Sequence, residues 1–375
     1  MKTLLKCSVA VIAAAACSLP LAADEKSPAY QAIAKLQSVK PNSEGTADAR
    51  AASTLLAKGG AANLLPVLKG FAKADPLAAN WLRSTFEKIA DAERAAGRKL
   101  PEEALISFVK DRSQSPVARR LAYEWVLQQN PAIADQVIPE MLLDPSPEFR
   151  RDAVARLIEE ATKAENPEKA TPLYRKAMEG AVHEDQVNTI AKALRDAGGT
   201  VNIQQHFGFL PSWQIIGPFD NKEEKGFGIT YPPESEVRLD AEYEGQLGPV
   251  KWAPVATEDD YGVVDIAKQI QNYKGSLMYA TTTFDSDREQ QVEIRLGTPN
   301  AWKMWVNGQQ VFEREEYHRS SQMDQYRVPV TLKAGSNTIL IKVCQNEQTQ
   351  DWAQRYQFQV RISDATGSAI AGGKL

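Results

Sequence analysis

The residues of this chain that could carry catalysis are few, and their spacing does not suit it. Only three histidines occur, His183, His206 and His318. His183-Glu184 begins as a zinc-peptidase motif does, but Val187 stands where the second histidine must fall. Zinc gripped from one helix face needs two ligands a turn apart. There is no G-x-S-x-G nucleophile elbow, no P-loop and no dinucleotide-binding glycine motif. Asp285-Ser286-Asp287-Arg288-Glu289 imitates the start of a calcium loop, yet Gln290 replaces the turn glycine and Leu296 the closing glutamate. Paired carboxylates for glycoside hydrolysis cannot be singled out among 48 acidic residues without geometry. The expectation is a protein that is not an enzyme and holds no cofactor.

Binding chemistry is better represented. A pyranose ring offers an apolar face to an aromatic side chain and its hydroxyls to planar polar groups. Two segments hold that mixture. Residues 313–325 contain Tyr317, His318, Arg319 and Asp324, and residues 345–355 contain Asn346, Asp351, Trp352 and Arg355. Each follows a strand-like run, and loops at strand ends are where sandwich proteins carry function. The glycan-binding candidates are therefore Tyr317, His318, Arg319, Asp324, Asp351, Trp352 and Arg355. The bland alternative is that Tyr317 and Trp352 fold back over the core edge and the charges are merely solvated.

The elements that must position these loops are strands. Val292, Ile294 and Leu296 alternate with polar residues, as do Val328, Val330 and Leu332, then Ile339, Ile341 and Val343, then Tyr356, Phe358, Val360 and Ile362. Such alternation with turn residues between predicts an antiparallel sandwich. Asn307-Gly308 is a two-residue hairpin signal, and Ala334-Gly335-Ser336-Asn337 makes another turn. Trp302 shares parity with Met304 and Val306 and belongs in the core, whereas Trp305 points to the opposite face. Trp213 and Trp252 are expected inside the sandwich. Cys344 closes an apolar strand and reads as a small buried hydrophobe.

Upstream, residues 28–198 have helix composition with short Pro or Gly breaks. The stretch repeats itself. Ser115-Pro116-Val117-Ala118-Arg119-Arg120-Leu121-Ala122 returns 31 residues later as Ser146-Pro147-Glu148-Phe149-Arg150-Arg151-Asp152-Ala153. Ala118, Ala122 and Val126 then match Phe149, Ala153 and Leu157, and a fainter copy runs through Ala78, Leu82 and Phe86. Leu64-Leu65-Pro66-Val67-Leu68 echoes Val137-Ile138-Pro139-Glu140-Met141. Trp81 and Trp125 are expected inside this stack. The paired arginines read as a solvated ridge or as ion pairs between repeats. Repeated helix pairs of this kind stack on one another, and the pattern resembles HEAT-type repeats.

Two stretches of the second half carry a further resemblance. Ala301-Trp302-Lys303-Met304-Trp305-Val306-Asn307-Gly308-Gln309-Gln310-Val311, followed by Leu332-Lys333-Ala334-Gly335-Ser336-Asn337-Thr338-Ile339-Leu340, resembles the jelly-roll domain of family 2 glycoside hydrolases. More broadly it is similar to the galactose-binding-like sandwich. The resemblance implies a non-catalytic sugar-binding fold and leaves room for a structural Ca²⁺. Trp213-Gln214-Ile215-Ile216-Gly217-Pro218-Phe219-Asp220-Asn221 and Tyr231-Pro232-Pro233-Glu234 resemble a block of exported bacterial proteins of unknown role.

The first 23 residues read as a secretory signal: Lys2 and Lys6, an apolar run from Cys7 to Ala16, and small residues at Ala22 and Ala23. Ala14-Ala15-Ala16-Cys17-Ser18 also resembles a lipoprotein box with Cys17 acylated, the minority route to a membrane-anchored form. Removing the signal takes the net charge from −4 to −6, because its only charged residues are two lysines. That acidity argues against nucleic acid as a partner. No later segment is long and apolar enough to span a bilayer.

The sequence thus predicts a multidomain α + β chain: signal peptide 1–23, HEAT-like α-solenoid 24–204, antiparallel jelly-roll β-sandwich 205–368 and flexible tail 369–375. The expected function is exported glycan binding by the sandwich and protein interaction by the helices. The alternative is an envelope scaffold with no sugar ligand, and an enzyme with an unrecognised carboxylate site is the third reading.

Overall fold

The computed structural model describes residues 27–372; the signal-peptide reading, Cys17 included, lies outside them. The chain forms two compact units that divide between Ala134 and Asp135.

The first unit is helical: α1 (Pro28–Gln37), α2 (Thr46–Lys58), α3 (Leu64–Lys69), α4 (Pro76–Ala95), α5 (Glu102–Lys110) and α6 (Pro116–Gln129), with α7 (Ile133–Val137) spanning the division. The Ser/Asp-Pro pairs begin helices as expected: Asp75 caps α4 by accepting from the Ala78 N–H at 2.8 Å, with Pro76 in the first turn. The stripe Ala78, Leu82 and Phe86 is fully buried and extends to Ile89. Trp81 and Trp125 are only half-buried, with Trp125 edge-on to Phe86 and Arg94 over its ring.

The second unit begins with α8 (Pro147–Thr162), α9 (Pro167–Gly180), α10 (Glu184–Asp196) and α11 (Ile203–Phe207). The first arginine of each repeated pair departs from the solvated-ridge reading. Arg119 is fully buried with Nε donating to the Val109 carbonyl, and Arg150 is buried with Nε donating to the Gly180 carbonyl. Both close the carbonyl end of a neighbouring helix, where a cation also meets the negative end of the helix dipole. The second arginines are ion-paired, Arg120 with Glu124 one turn on in its own helix and Arg151 with Asp185 of α10.

Strands follow: β1 (Ser212–Asp220), β2 (Glu242–Gly245), β3 (Gly248–Lys251), β4 (Ala253–Ala256), β5 (Val264–Asp265), β6 (Ser276–Ser286), β7 (Gln290–Gly297), β8 (Ala301–Val306), β9 (Gln309–Arg314), β10 (Tyr326–Leu332), β11 (Gly335–Gln345) and β12 (Gln357–Ser363). One sheet has the order β4-β1-β6-β11-β8-β9, a second β10-β7-β12-β5, and β2 pairs with β3 alone. All pairings are antiparallel. The two large sheets enclose one core that includes Trp213, Trp302, Met304, Ile339, Ile341, Phe358 and Ile362, so this part is a β-sandwich. At the β8–β9 hairpin Asn307 and Gly308 both have positive φ, the geometry of a type I′ turn.

The six-stranded sheet is covered on its outer face as well. Ile216, Tyr279, Trp305, Leu340 and Cys344 lie there beneath Phe227, Tyr231, Val237 and Trp252. This is why Ile339 to Cys344 is continuously buried: a strand covered on both faces loses the alternation of a one-sided strand. Lys342 sits in that layer, fully buried. Its Nζ donates to the Phe227 and Ile229 carbonyls and to Glu234 Oε1 at 2.8 Å. Glu234 also accepts from the Tyr279 hydroxyl and belongs to the four-residue helix α12 (Pro232–Ser235). The Tyr231-Pro-Pro-Glu block therefore latches the covering segment onto the sheet.

Residues 369 and 370, which the sequence places in the flexible tail, are held: Ile370 N–H donates to the Ile362 carbonyl, and Ser363 pairs with Ala369.

Candidate functional site

Strand register gathers several loops at one end of the sandwich. Asp220 faces Ser276, which faces Gln345, while Cys344 faces Ala301 and Trp302 faces Arg314. The segments following β1, β9 and β11 and preceding β6 and β8 therefore emerge together. Both predicted loops are among them.

The meeting point is Asn346, which is buried. Its Nδ2 donates to Glu224 Oε1 at 3.0 Å. A carboxylate can only accept, so this bond fixes the amide orientation. Oδ1 then accepts from the Gln348 N–H and from His318 Nε2 at 2.6 Å, so Nε2 is the donor in this pair. The His318 ring stands edge-on to Trp352, 5.2 Å between centroids at 88°. Trp352 is 61% exposed. One apolar ring face is thus held at the surface beside an imidazole and an amide whose orientations are set beneath it.

Backbone strain collects here. Six non-glycine residues among those described have positive φ, and three of them, Glu223, Glu224 and His318, belong to this cluster. Left-handed backbone outside glycine costs energy that the surroundings must offset, and it concentrates at functional sites. Glu223 and Glu224 come from the 221–227 turn, an element that sequence reasoning did not assign to the site. Its Glu223 N–H donates to Glu347 Oε1 at 2.7 Å, which ties it to the loop after β11. Asp220-Asn221, where this turn begins, carries in the sequence only the resemblance to a block of exported bacterial proteins. No local signal marks a contact between residues 224 and 346.

The remaining predicted residues divide. Tyr317 is half-buried with its hydroxyl bonded to Asn221 Nδ2 at 3.2 Å, and it packs against the outer apolar layer; burial raises its phenol pKa. It supports the site from below, as the bland alternative held for this residue. Arg319 is exposed and bonds Glu316. Asp351 and Arg355 are exposed in the Trp352 loop. Asp324 lies in a different network. Its Oδ1 accepts from Arg361 Nε, and its Oδ2 from both Arg361 and Arg295, each at 2.6 Å. Arg361 and Arg295 are buried, and Arg361 also donates to the Phe207 and Gly367 carbonyls. Burial works against the Asp324 carboxylate, but the two guanidiniums outweigh it and hold its pKa below the ordinary value. Both oxygens are committed to holding the C-terminal strand and the helix before β1.

The three histidines serve separate ends. His206 Nε2 donates to the Ala181 carbonyl at 2.8 Å, and burial lowers the pKa of this ring and of His183. Among the described residues no group of three or more His, Cys, Asp or Glu side chains is placed to hold a metal ion. No described helix is long and apolar enough to cross a membrane.

By fold and site, the chain is of mixed α/β class, with helices and an antiparallel β-sandwich that carries an exposed aromatic set in polar loops. No family model matches the chain, and no curated protein matches it either. Among solved structures it is similar over part of its length to a β-glucosidase from Kluyveromyces marxianus (12% identity, 40% of this chain, 16% of that one, TM-score 0.27). It is also similar to a β-glucuronidase from Ruminococcus gnavus (12%, 41% and 29%, TM-score 0.24). A third similarity is to a family 35 carbohydrate-binding module from an environmental isolate (18%, 25% and 70%, TM-score 0.18). The chain spans less than a third of the length of either hydrolase.

Proposed function

We propose that this protein is an exported, non-catalytic glycan-binding protein whose jelly-roll sandwich loops hold the sugar and whose helices, a HEAT-like stack, serve protein contacts. The observation that carries the reading is Trp352, largely exposed yet held edge-on by His318, which Asn346 and Glu224 fix in turn. An exposed indole normally costs hydration and side-chain entropy, and it is kept where a flat apolar face is needed. Beside it, His318, Glu224 and Gln348 offer planar polar groups to the hydroxyls of a ring lying on the indole.

The test is binding of the full-length protein to a panel of neutral and acidic polysaccharides, by pull-down and by glycan array. Trp352→Ala is expected to abolish retention while the thermal unfolding midpoint stays unchanged. No retention of the folded protein by any polysaccharide would remove the glycan reading and leave the scaffold alternative, in which a protein partner co-purifies without sugar dependence.

A further inference from the structure

At the other end of the same strands the outer face of the six-stranded sheet is open. Beside Val237 of the covering layer lies a cavity of about 660 Å³. Gln214, Thr281, Thr283 and Thr338 line its sheet side, with Leu239 and Pro254 also lining it. Alternation places those four strand side chains outward, because Ile215, Ala280, Phe284 and Ile339 belong to the inner core. This larger cavity is a trough on the sheet; a second cavity of about 360 Å³ adjoins it at Val237 and Thr338, but Glu234, Glu236 and Lys333 line that one, and it is not part of the uncharged trough. Thr338 is separated from Gln345, where the loop cluster begins, by seven residues of β11, roughly 23 Å along the strand.

The composition of the larger cavity defines its ligand. None of its lining residues is ionisable, in a chain where 25% of residues are charged. A charged ligand would lose hydration there with no counter-charge to replace it. Thr281 is satisfied within the sheet, its hydroxyl donating to the Ile339 carbonyl, but a wholly apolar ligand would desolvate the Thr283 and Thr338 hydroxyls and the Gln214 amide with no partner in return. Leu239, 54% exposed, supplies an apolar surface beside those polar groups, and the volume falls within the roughly 300–1,000 Å³ of small-ligand sites. What matches is a neutral ring with hydroxyls at its rim and C–H groups on its face.

We infer that this trough is a second glycan site, taking a neutral oligosaccharide segment, separate from the Trp352 cluster. The inference rests on the glycan-binding reading and adds a second site and a ligand class to it. The test is titration of the full-length protein with neutral hexasaccharides (cello-, xylo- and manno-) for wild type, Thr283→Lys, Gln214→Ala and Trp352→Ala, each checked for an unchanged melting midpoint. Thr283→Lys puts a cation on an exposed wall residue, and Gln214→Ala removes a polar group without adding bulk. We expect each to weaken hexasaccharide affinity at least tenfold, with weakening also present in the Trp352→Ala background. Unchanged affinity in both trough variants would overturn the inference, as would a wild type that binds acidic polysaccharides through Trp352 and no neutral hexasaccharide. In that last case the loop reading stands. Weakening by the trough variants but not by Trp352→Ala would support the trough and remove the loop site.

Discussion

Replacing Asp324 by Asn separates a structural carboxylate from a ligand-binding one. The carboxylate makes three bonds of 2.6 Å to two buried arginines. Removing one partner of a buried ion pair costs about 3–5 kcal/mol, because the remaining charge is left uncompensated. Here each arginine keeps other partners: Arg295 retains Glu293 and the Asp364 carbonyl, and Arg361 retains the Phe207 and Gly367 carbonyls. The lower end applies, about 3 kcal/mol. The pH dependence has a definite sign. The folded carboxylate has a lowered pKa, so its contribution is fully present above the unfolded value of roughly 3.9 and is lost as pH falls through the lower folded value. The gap between wild type and Asp324→Asn should therefore narrow on acidification below about pH 4. Urea unfolding followed by tryptophan fluorescence reads this well, since five of the seven tryptophans (Trp213, Trp252, Trp302, Trp305, Trp352) lie in the second unit. Glycan affinity of the folded Asp324→Asn protein should be unchanged. A stability loss under about 1 kcal/mol, or a lost glycan affinity at full stability, would refute the assignment.

Other outcomes follow from the same geometry. Lys342→Ala leaves Glu234 buried without its cation and frees the Phe227 and Ile229 carbonyls; it should cost about 3–5 kcal/mol and increase proteolysis between residues 222 and 239. Lys342→Met paired with Glu234→Gln should recover part of that stability; no recovery would mean the ion pair is not what holds the segment. Cys344 is fully buried, and burial pushes its thiol up to about 12. In a chain expressed from Asp24 it should stay unreactive to a disulfide reagent at pH 8 and react fully in guanidinium; fast native reaction would show that the covering layer opens.

Much of the sandwich was legible because its signals are local. Asn307-Gly308 supplies the positive φ that a two-residue hairpin needs, and the parity of Trp302 and Trp305 places them on opposite faces. Helix starts at Pro76, Pro116 and Pro147 were equally plain. The outer covering layer was not, because residues 222–252 are short strands and turns with little periodicity. Nor did sequence give the division at Ala134. Arg150 bonds Thr366 and Ser368, and Arg195 pairs with Asp260, so helices after the division join the sandwich through pairs separated by 65 to 218 residues. Of the candidate site, loop composition found Trp352 and His318. It could not separate Asp324, a residue of the same polar loop, from them, since only its buried partners tell the two roles apart.

The most direct measurement is the affinity of wild type, Trp352→Ala and Trp352→Phe for whichever polysaccharide the panel retains. The account predicts at least a tenfold loss for alanine, on the order of 1.4 kcal/mol or more, and substantial recovery with phenylalanine, which restores the flat face. Equal affinities for all three proteins would contradict it.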